Sequence, residues 1–326
     1  MSATQIARKS RRTSVSAAML SLMGVLVALT AATFIVHPNF GPFDLESLAL
    51  VALPLSLAAL AQMCVVSSGG IDLSLGSLIA VSNVLAARLM HQEDLRTSVA
   101  IAFLVVICVI AGSTANALIA VVTRIPDVMV TLTTGFIYGG VALLILNQPG
   151  GGAPEELISG VSDGQLGGWI PNALIILVVV TFIVWVPIRR SRMGLLMFAA
   201  GSDRTATLRS GANPNLGRII GYAVGGVFAA LAGLALTFTT GIGSPLGGSY
   251  YTLASVAAIT LGGVSLQGGE AEPIGPILAA IILAFIPMVL IFLNVDPNYG
   301  QVIQGAILVA VVILGGALAK KQVQLK

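Results

Sequence analysis

Ten apolar runs of 17 to 24 residues follow one another along the chain, at about 17–36, 48–66, 73–89, 99–122, 128–146, 171–188, 218–239, 251–267, 274–293 and 301–319. A helix rises about 1.5 Å per residue, so about 20 apolar residues cross the hydrocarbon core of a bilayer. Charged residues make up only 9% of the 326 positions, against about 25% in a soluble domain. The pattern therefore predicts an all-α integral membrane protein of about ten transmembrane helices. Thirty-seven glycines and fourteen prolines predict broken or re-entrant segments among them, tolerated where freed backbone groups find partners inside protein.

Charges between the runs test this count, because short cytoplasmic loops are rich in Lys and Arg. Threading from an inside N-terminus puts Arg8, Lys9, Arg11, Arg12, Arg124, Arg189, Arg190, Arg192, Arg204, Arg209, Arg218, Lys320, Lys321 and Lys326 inside and only Arg88 and Arg96 outside. Dropping one span would put the basic 189–218 loop on the same side as the acidic 147–170 loop, or separate the basic termini. The expected layout is a basic cytoplasmic N-terminus (1–16), one membrane domain (17–319) with a cytoplasmic loop at about 189–217, and a cytoplasmic C-terminus (320–326). The first run exceeds the usual signal-peptide core of about 7 to 15 residues and lacks a small-x-small cleavage site, so it reads as an uncleaved span. Trp169, Tyr250, Tyr251 and Tyr299 fall at outer boundaries of this layout, where amphipathic rings are favoured.

Phosphate-loop and metal motifs are missing: the chain contains no GxxxxGK[ST], HExxH or CxxC, and His37 and His91 stand in separate loops. ATP hydrolysis by the chain itself is not expected, and Cys64 and Cys108, each within an apolar run, read as packing thiols. A chain of ion-coupling carboxylates within the spans is also lacking.

The stretch Ser68-Gly69-Gly70-Ile71-Asp72-Leu73-Ser74 places an acid between two apolar runs. Burying a charge at mid-membrane costs about 2.5 to 3.5 kcal/mol, more than the ~1 kcal/mol of a helix cap. Asp72 is therefore expected near an interface or hydrated cleft, accepting N–H bonds from Ser74 and Leu75 after a glycine turn. The segment is echoed by Leu261-Gly262-Gly263-Val264-Ser265-Leu266-Gln267, without the acid, and a weaker echo links Asn116–Val122 with Gly305–Val312. Internal repeats with glycine-interrupted segments recur in transporters and point toward the pathway.

Asn83, Asn116, Thr131, Thr133, Thr134, Gln62 and Gln304 are the other polar candidates within runs, read as interhelical hydrogen-bond partners. The pairs Gly135/Gly139 and Gly221/Gly225 predict close helix packing. Within the 189–218 loop, GLLMFAAGSDRTATLRSGAN predicts a short helix lying on the membrane or docked to another protein, with Ser202 as N-cap and Gly211 as stop.

Four stretches in order, SSGGIDLSLGS at 67–77, RIPDVMVTLTTGFIYGG at 124–140, AAGSDRTATLRSGAN at 199–213 and YTLASVAAITLGGVSLQGG at 251–269, resemble the permease subunits of bacterial ABC importers, in the ribose-type monosaccharide branch. The resemblance covers nearly the whole chain. It implies the ABC-importer permease architecture in the bacterial inner membrane, with a second permease copy or a related permease, two cytoplasmic ATPase subunits that bind the ATP, a periplasmic sugar-binding protein and surrounding lipid. Neither a cofactor in this chain nor a nucleic-acid partner is implied. It carries an ATPase-docking role onto Gly201, Arg204, Ala206, Leu208 and Gly211. Pathway and turn roles fall on Gly69, Gly70, Asp72, Ser74, Asn116, Thr131, Gly262, Gly263, Gly268 and Gly269.

The chain departs from its look-alikes in having Gly201-Ser202-Asp203 where many carry GGN, Thr252 and Ala254 where many carry acids, and an acidic Gly269-Glu270-Ala271-Glu272-Pro273. A permease for amino acids or nucleosides, an ion-coupled secondary transporter and a channel are the competing expectations.

Overall fold

The computed structural model describes residues 3–296 and, beyond them, 299, 300, 302, 303, 305, 306 and 309. The sequence-predicted tenth span and the echo at Gly305 lie almost wholly outside the described residues. Each of the other nine runs coincides with a helix. Among the described residues, seven helices are long and apolar enough to cross a membrane: α1 (Ala3–Val36), α2 (Pro42–Ser67), α4 (Leu95–Thr123), α5 (Asp127–Ile145), α7 (Asn172–Arg190), α10 (Pro214–Thr240) and α12 (Ile274–Phe292). Two apolar helices are shorter, α3 (Leu75–Leu89) and α11 (Ser249–Leu261). At about 1.5 Å per residue these reach some 22 and 20 Å, too short to span alone. Short helices α6 (Glu155–Ser162), α8 (Arg192–Ser202) and α9 (Arg204–Arg209) and a hairpin of β1 (Gln165–Leu166) and β2 (Ile170–Pro171) complete the order.

The core is built on α2 and α10. The most apolar 18-residue window of α2 is 89% buried and that of α10 67%, while those of α1, α4, α5 and α7 do not exceed 22%. A helix apolar on every side is either buried in protein or faces lipid; here α2 takes the first course, and α1, α4, α5 and α7 leave most of their apolar surface uncovered within this chain. Their close approach depends on glycine: a β-carbon on Gly225 would come 2.9 Å from Val65 Cγ2 and 3.0 Å from the Ala61 carbonyl, and one on Gly221 would meet Ser68 and 3.1 Å from it the Cys64 carbonyl. The packing predicted from Gly221/Gly225 is thus present, and on the neighbouring face Gly226 admits α4 at Ile110 and Ser113.

Both echoed glycine turns end helices in the same way. Gly69 (φ +86°) follows α2, with Gly69 N–H donating to Val66 and Gly70 N–H to Val65. Gly263 (φ +80°) follows α11, with Gly263 N–H donating to Thr260 and Val264 N–H to Ile259. Such a paired bond around a left-handed residue satisfies orphan carbonyls at a helix end. The structural match sets Gly69 against Gly263, one residue out of register with the sequence echo, which aligns Gly69 with Gly262. The hydrogen bonds decide it, because only one residue per turn must adopt positive φ.

Candidate functional site

The turn after α2 meets the Gly268–Gly269 segment that follows the second turn, at an end of the bundle that also carries Arg189 in the last turn of α7, Arg204 in α9 and Arg218 in α10. The last full turn of α8 abuts them: a β-carbon on Gly201 would lie 2.9 Å from both the Gly69 and the Gly269 amide nitrogens and would collide with the Ser67 carbonyl. Gly268, at φ +91°, packs on the Gly201 backbone from the other side, and Gly269 N–H donates to the Ser67 carbonyl at 3.2 Å. Gly69, Gly201, Gly268 and Gly269 therefore form one backbone-to-backbone joint. Gly262 packs instead on Gly275 and Pro276 at the start of α12.

The α8–α9 element comprises two helices rather than the single one predicted. Ser191 caps α8 by accepting from Gly194 N–H at 3.2 Å, and Asp203 caps α9 by accepting from Ala206 N–H at 2.9 Å. Asp203 thereby displaces Ser202 as the predicted cap, since Ser202 still belongs to α8. Gly211, at φ +82°, does act as the stop: its N–H donates to Leu208 and that of Ala212 to Thr207. Arg204, Ala206 and Leu208 are exposed, and Arg204 hydrogen-bonds Asn215 on α10. The acids of the 269–273 segment also find an account: Glu270 and Glu272 both pair with Arg189 at the end of α7.

Asp72 follows the first turn, and its surroundings differ from expectation. It is fully buried rather than beside water. Its Oδ1 accepts from Ser74 N–H at 2.8 Å and from the Ser74 hydroxyl at 2.6 Å, whereas no bond to Leu75 N–H forms. This is an aspartate turn that aims the chain into α3. Burial follows from close cover at Gly70, where a β-carbon would come 2.7 Å from Tyr222 Cε2 and 2.8 Å from Asp127 Oδ2. The network extends outward: Asn116 Nδ2 donates to Ser74 Oγ at 2.7 Å, Tyr138 OH donates to Asn116 Oδ1 at 3.2 Å, and Leu73 N–H donates to Thr131 Oγ1 at 3.0 Å. The structure thus brings Gly70, Asp72, Ser74, Asn116 and Thr131 into one cluster spanning the turn, α4 and α5.

Asp127 and Arg218 belong to this cluster and escaped the sequence reading. Asp127 opens α5 and forms a buried ion pair with Arg218 of α10, Arg218 Nε donating to Oδ2 at 3.0 Å. Their signal lay in two charges placed at the edges of apolar runs, which charge counting assigns to loops.

Above the polar turn, α3 and α11 start side by side and diverge. Gly248 lies against Ala80 and Gly76 against Thr252, so the two helices run antiparallel from a shared starting point, α3 toward Ala87 and α11 toward Gly262. Tyr250 and Tyr251 consequently sit beside the first turns of α3 and do not mark the outer end of a span. Where the helices begin, a cavity of about 540 Å³ opens between α3, α5 and the 245–252 segment. Three hydroxyl residues, Ser77, Ser249 and Thr252, share its lining with Leu73, Ala80, Leu132, Gly135, Phe136, Gly139, Gly140, Leu143, Pro245 and Leu246. No charged side chain is among them. A β-carbon on Gly135 would also lie 3.3 Å from Ser74 Cα, so the predicted close approach at Gly135/Gly139 doubles as cavity wall.

The descending 241–248 segment that roofs this cavity is irregular backbone and needs partners. Asn83 supplies them, accepting from Ser244 N–H at 2.6 Å and donating to Thr237 Oγ1 at 2.8 Å and the Ile242 carbonyl at 3.2 Å. Gly150 and Gly243 exchange backbone bonds beside it, joining the 147–170 loop to the same roof.

Comparison with known proteins agrees with this architecture. The chain is 28% identical to the ribose import permease protein RbsC of Escherichia coli, over 90% of this chain and 92% of that protein. It is 31% identical to the autoinducer 2 import system permease protein LsrC of an Enterobacter species, over 95% and 88%, and 30% identical to LsrD of the same organism, over 86% and 84%. No solved structure matches. Residues 45–312 match the family described as branched-chain amino acid transport system / permease component, and the chain is a multi-pass membrane protein that belongs to that family of importer permeases.

Proposed function

We propose that this chain forms one wall of the translocation pathway for a monosaccharide or similar small polyol in an ATP-driven importer of the bacterial inner membrane. The carrying observation is the cavity where α3 and α11 begin: three hydroxyl residues, an exposed phenyl ring at Phe136 and no charged side chain in its lining. A neutral polyol matches such a surface through hydroxyl bonds and ring contact, whereas an amino acid zwitterion would require counter-charges. Irregular backbone at membrane depth is stable only within protein or beside water, so the open side of the groove calls for a second permease copy or a related permease.

On this reading the basic end faces the cytoplasm, both termini with it. The α8–α9 element, with Gly201, Arg204, Ala206, Leu208 and Gly211, docks separate ATPase subunits, which bind the ATP. A periplasmic sugar-binding protein delivers substrate at the opposite end. The chain itself catalyses no reaction and needs no cofactor of its own.

Uptake of a panel of radiolabelled pentoses and hexoses into proteoliposomes, with ATPase and binding protein added or omitted, tests this directly. ATP-dependent uptake needing all components is the expected result. Uptake driven by an ion gradient with the ATPase omitted would overturn the scheme in favour of a secondary transporter, and ATP-driven uptake confined to amino acids would overturn the substrate class.

A further inference from the structure

The docking element and the cavity are connected by a series of hydrogen bonds and one ion pair, joined through the first turns of α10 and α5. Arg204 of α9 hydrogen-bonds Asn215 in the first turn of α10. One turn later Arg218 forms the buried ion pair with Asp127, the first residue of α5. One turn into α5, Thr131 accepts from Leu73 N–H at 3.0 Å and donates to the Asp127 carbonyl at 2.9 Å. Leu73 itself lines the cavity, as do Leu132, Gly135, Phe136 and Gly139 farther along α5.

Asp127 alone is explained by its place at the start of α5, where the helix dipole favours an anion. Arg218 has no comparable local reason. It lies within an apolar helix, and its side chain is only 16% exposed beside a carboxylate that is 6% exposed. Apolar residues of similar volume commonly replace such a pair without loss of stability, so burial of both charges is weak evidence for a stabilising role and leaves a switching or registering one. The pair is also the point at which α10, continuous with the docking element, holds α5, which walls the cavity.

We propose that Arg218 and Asp127 are a positioning pair that transmits displacement of the α8–α9 element to α5 and so to the width of the cavity. The proposal rests on the docking and pathway roles assigned above. Its physical content is a strut: two charged groups in low dielectric resist separation far more steeply than apolar contacts do, so α5 follows α10 when α9 is pushed.

The test reads the two ends separately in the complete complex of permease and ATPase subunits in nanodiscs. Spin labels are placed at Thr205→Cys on the docking element or at Phe136→Cys on the cavity wall, each with Cys108→Ala, and mobility is compared with and without ATP and vanadate. In the otherwise unsubstituted chain both labels should respond. In Asp127→Leu/Arg218→Met the Thr205 label should still respond while the Phe136 response falls at least fivefold, and Arg218→Lys, which keeps the charge, should restore most of it. Asp127→Asn/Arg218→Gln, which leaves no charge unpaired, repeats the comparison as a guard against failed assembly and should likewise lose the Phe136 response alone. An undiminished Phe136 response in either variant, or equal loss at both labels, would overturn the strut. Silence of the Thr205 label in the unsubstituted chain would instead overturn the docking assignment, and the strut with it.

Discussion

The backbones of Gly201 and Gly69 touch: a β-carbon on Gly201 would stand 2.9 Å from the Gly69 amide nitrogen, and one on Gly69 would stand 3.3 Å from Gly201 Cα. The nearest other groups to such a β-carbon on Gly201 are also backbone, the Ser67 carbonyl and the Gly269 amide. The α8–α9 element and the polar turn before α3 are therefore in direct mechanical contact.

Gly201→Ala should then separate α8 from the turn and destabilise the chain by about 1 to 3 kcal/mol, the usual cost of overpacking a rigid site. Thermal unfolding in detergent measures this, and Gly211→Asn, at a position open to solvent where left-handed φ suits asparagine, serves as the mild comparison.

Asp72 acts through Oδ1, which holds Ser74 by two bonds. An amide oxygen in the same place accepts both, so Asp72→Asn should keep near-normal assembly and uptake. Asp72→Ala removes the acceptor, leaves Ser74 N–H unpaired in a buried site and should cost about 1 to 3 kcal/mol. Uptake lost equally in both variants would mean that the charge itself is required.

Asn83 holds the roof of the cavity through three bonds. Asn83→Ala should release the 241–248 segment, seen as faster amide hydrogen exchange at Ser244 and in the bridge between Gly150 and Gly243, with α2 and α10 unaffected. Protection unchanged at Ser244 would remove Asn83 from this role.

Thr252→Val keeps shape while deleting a hydroxyl from the cavity. If that hydroxyl contacts a polyol in passage, uptake at limiting substrate should fall roughly tenfold, corresponding to ~1.4 kcal/mol, with ATPase docking intact by crosslinking. Unchanged uptake would place substrate contacts elsewhere in the groove.

Glu270 and Glu272 meet Arg189 at a partly exposed site. Exposed pairs of this kind contribute about 0 to 1 kcal/mol, so Glu270→Gln should change unfolding stability by less than about 1 kcal/mol, and less still in high salt.

Much of this was written in the chain. Runs of apolar residues determine where helices form, because hydrocarbon leaves backbone groups no other partner, and nine of the ten predicted runs are helices in the described residues. Glycine spacing announced close packing on α10, though not that α2 would be the partner, and Gly211 announced a helix end, since both depend on the local absence of a side chain. Depth was not legible: length in residues did not reveal that α3 and α11 start next to each other, which placed Tyr250 and Tyr251 wrongly. Nor was burial, because a charge at the edge of an apolar run reads as loop whether or not a partner waits on another helix. Asp72 was expected near water and lies under Tyr222, and Asp127 and Arg218, 91 residues apart, found each other only when α5 and α10 packed. Local chemistry is set by neighbours in sequence, whereas the dielectric around a charge and the partner that offsets its burial come from neighbours in space, and those only the tertiary structure decided.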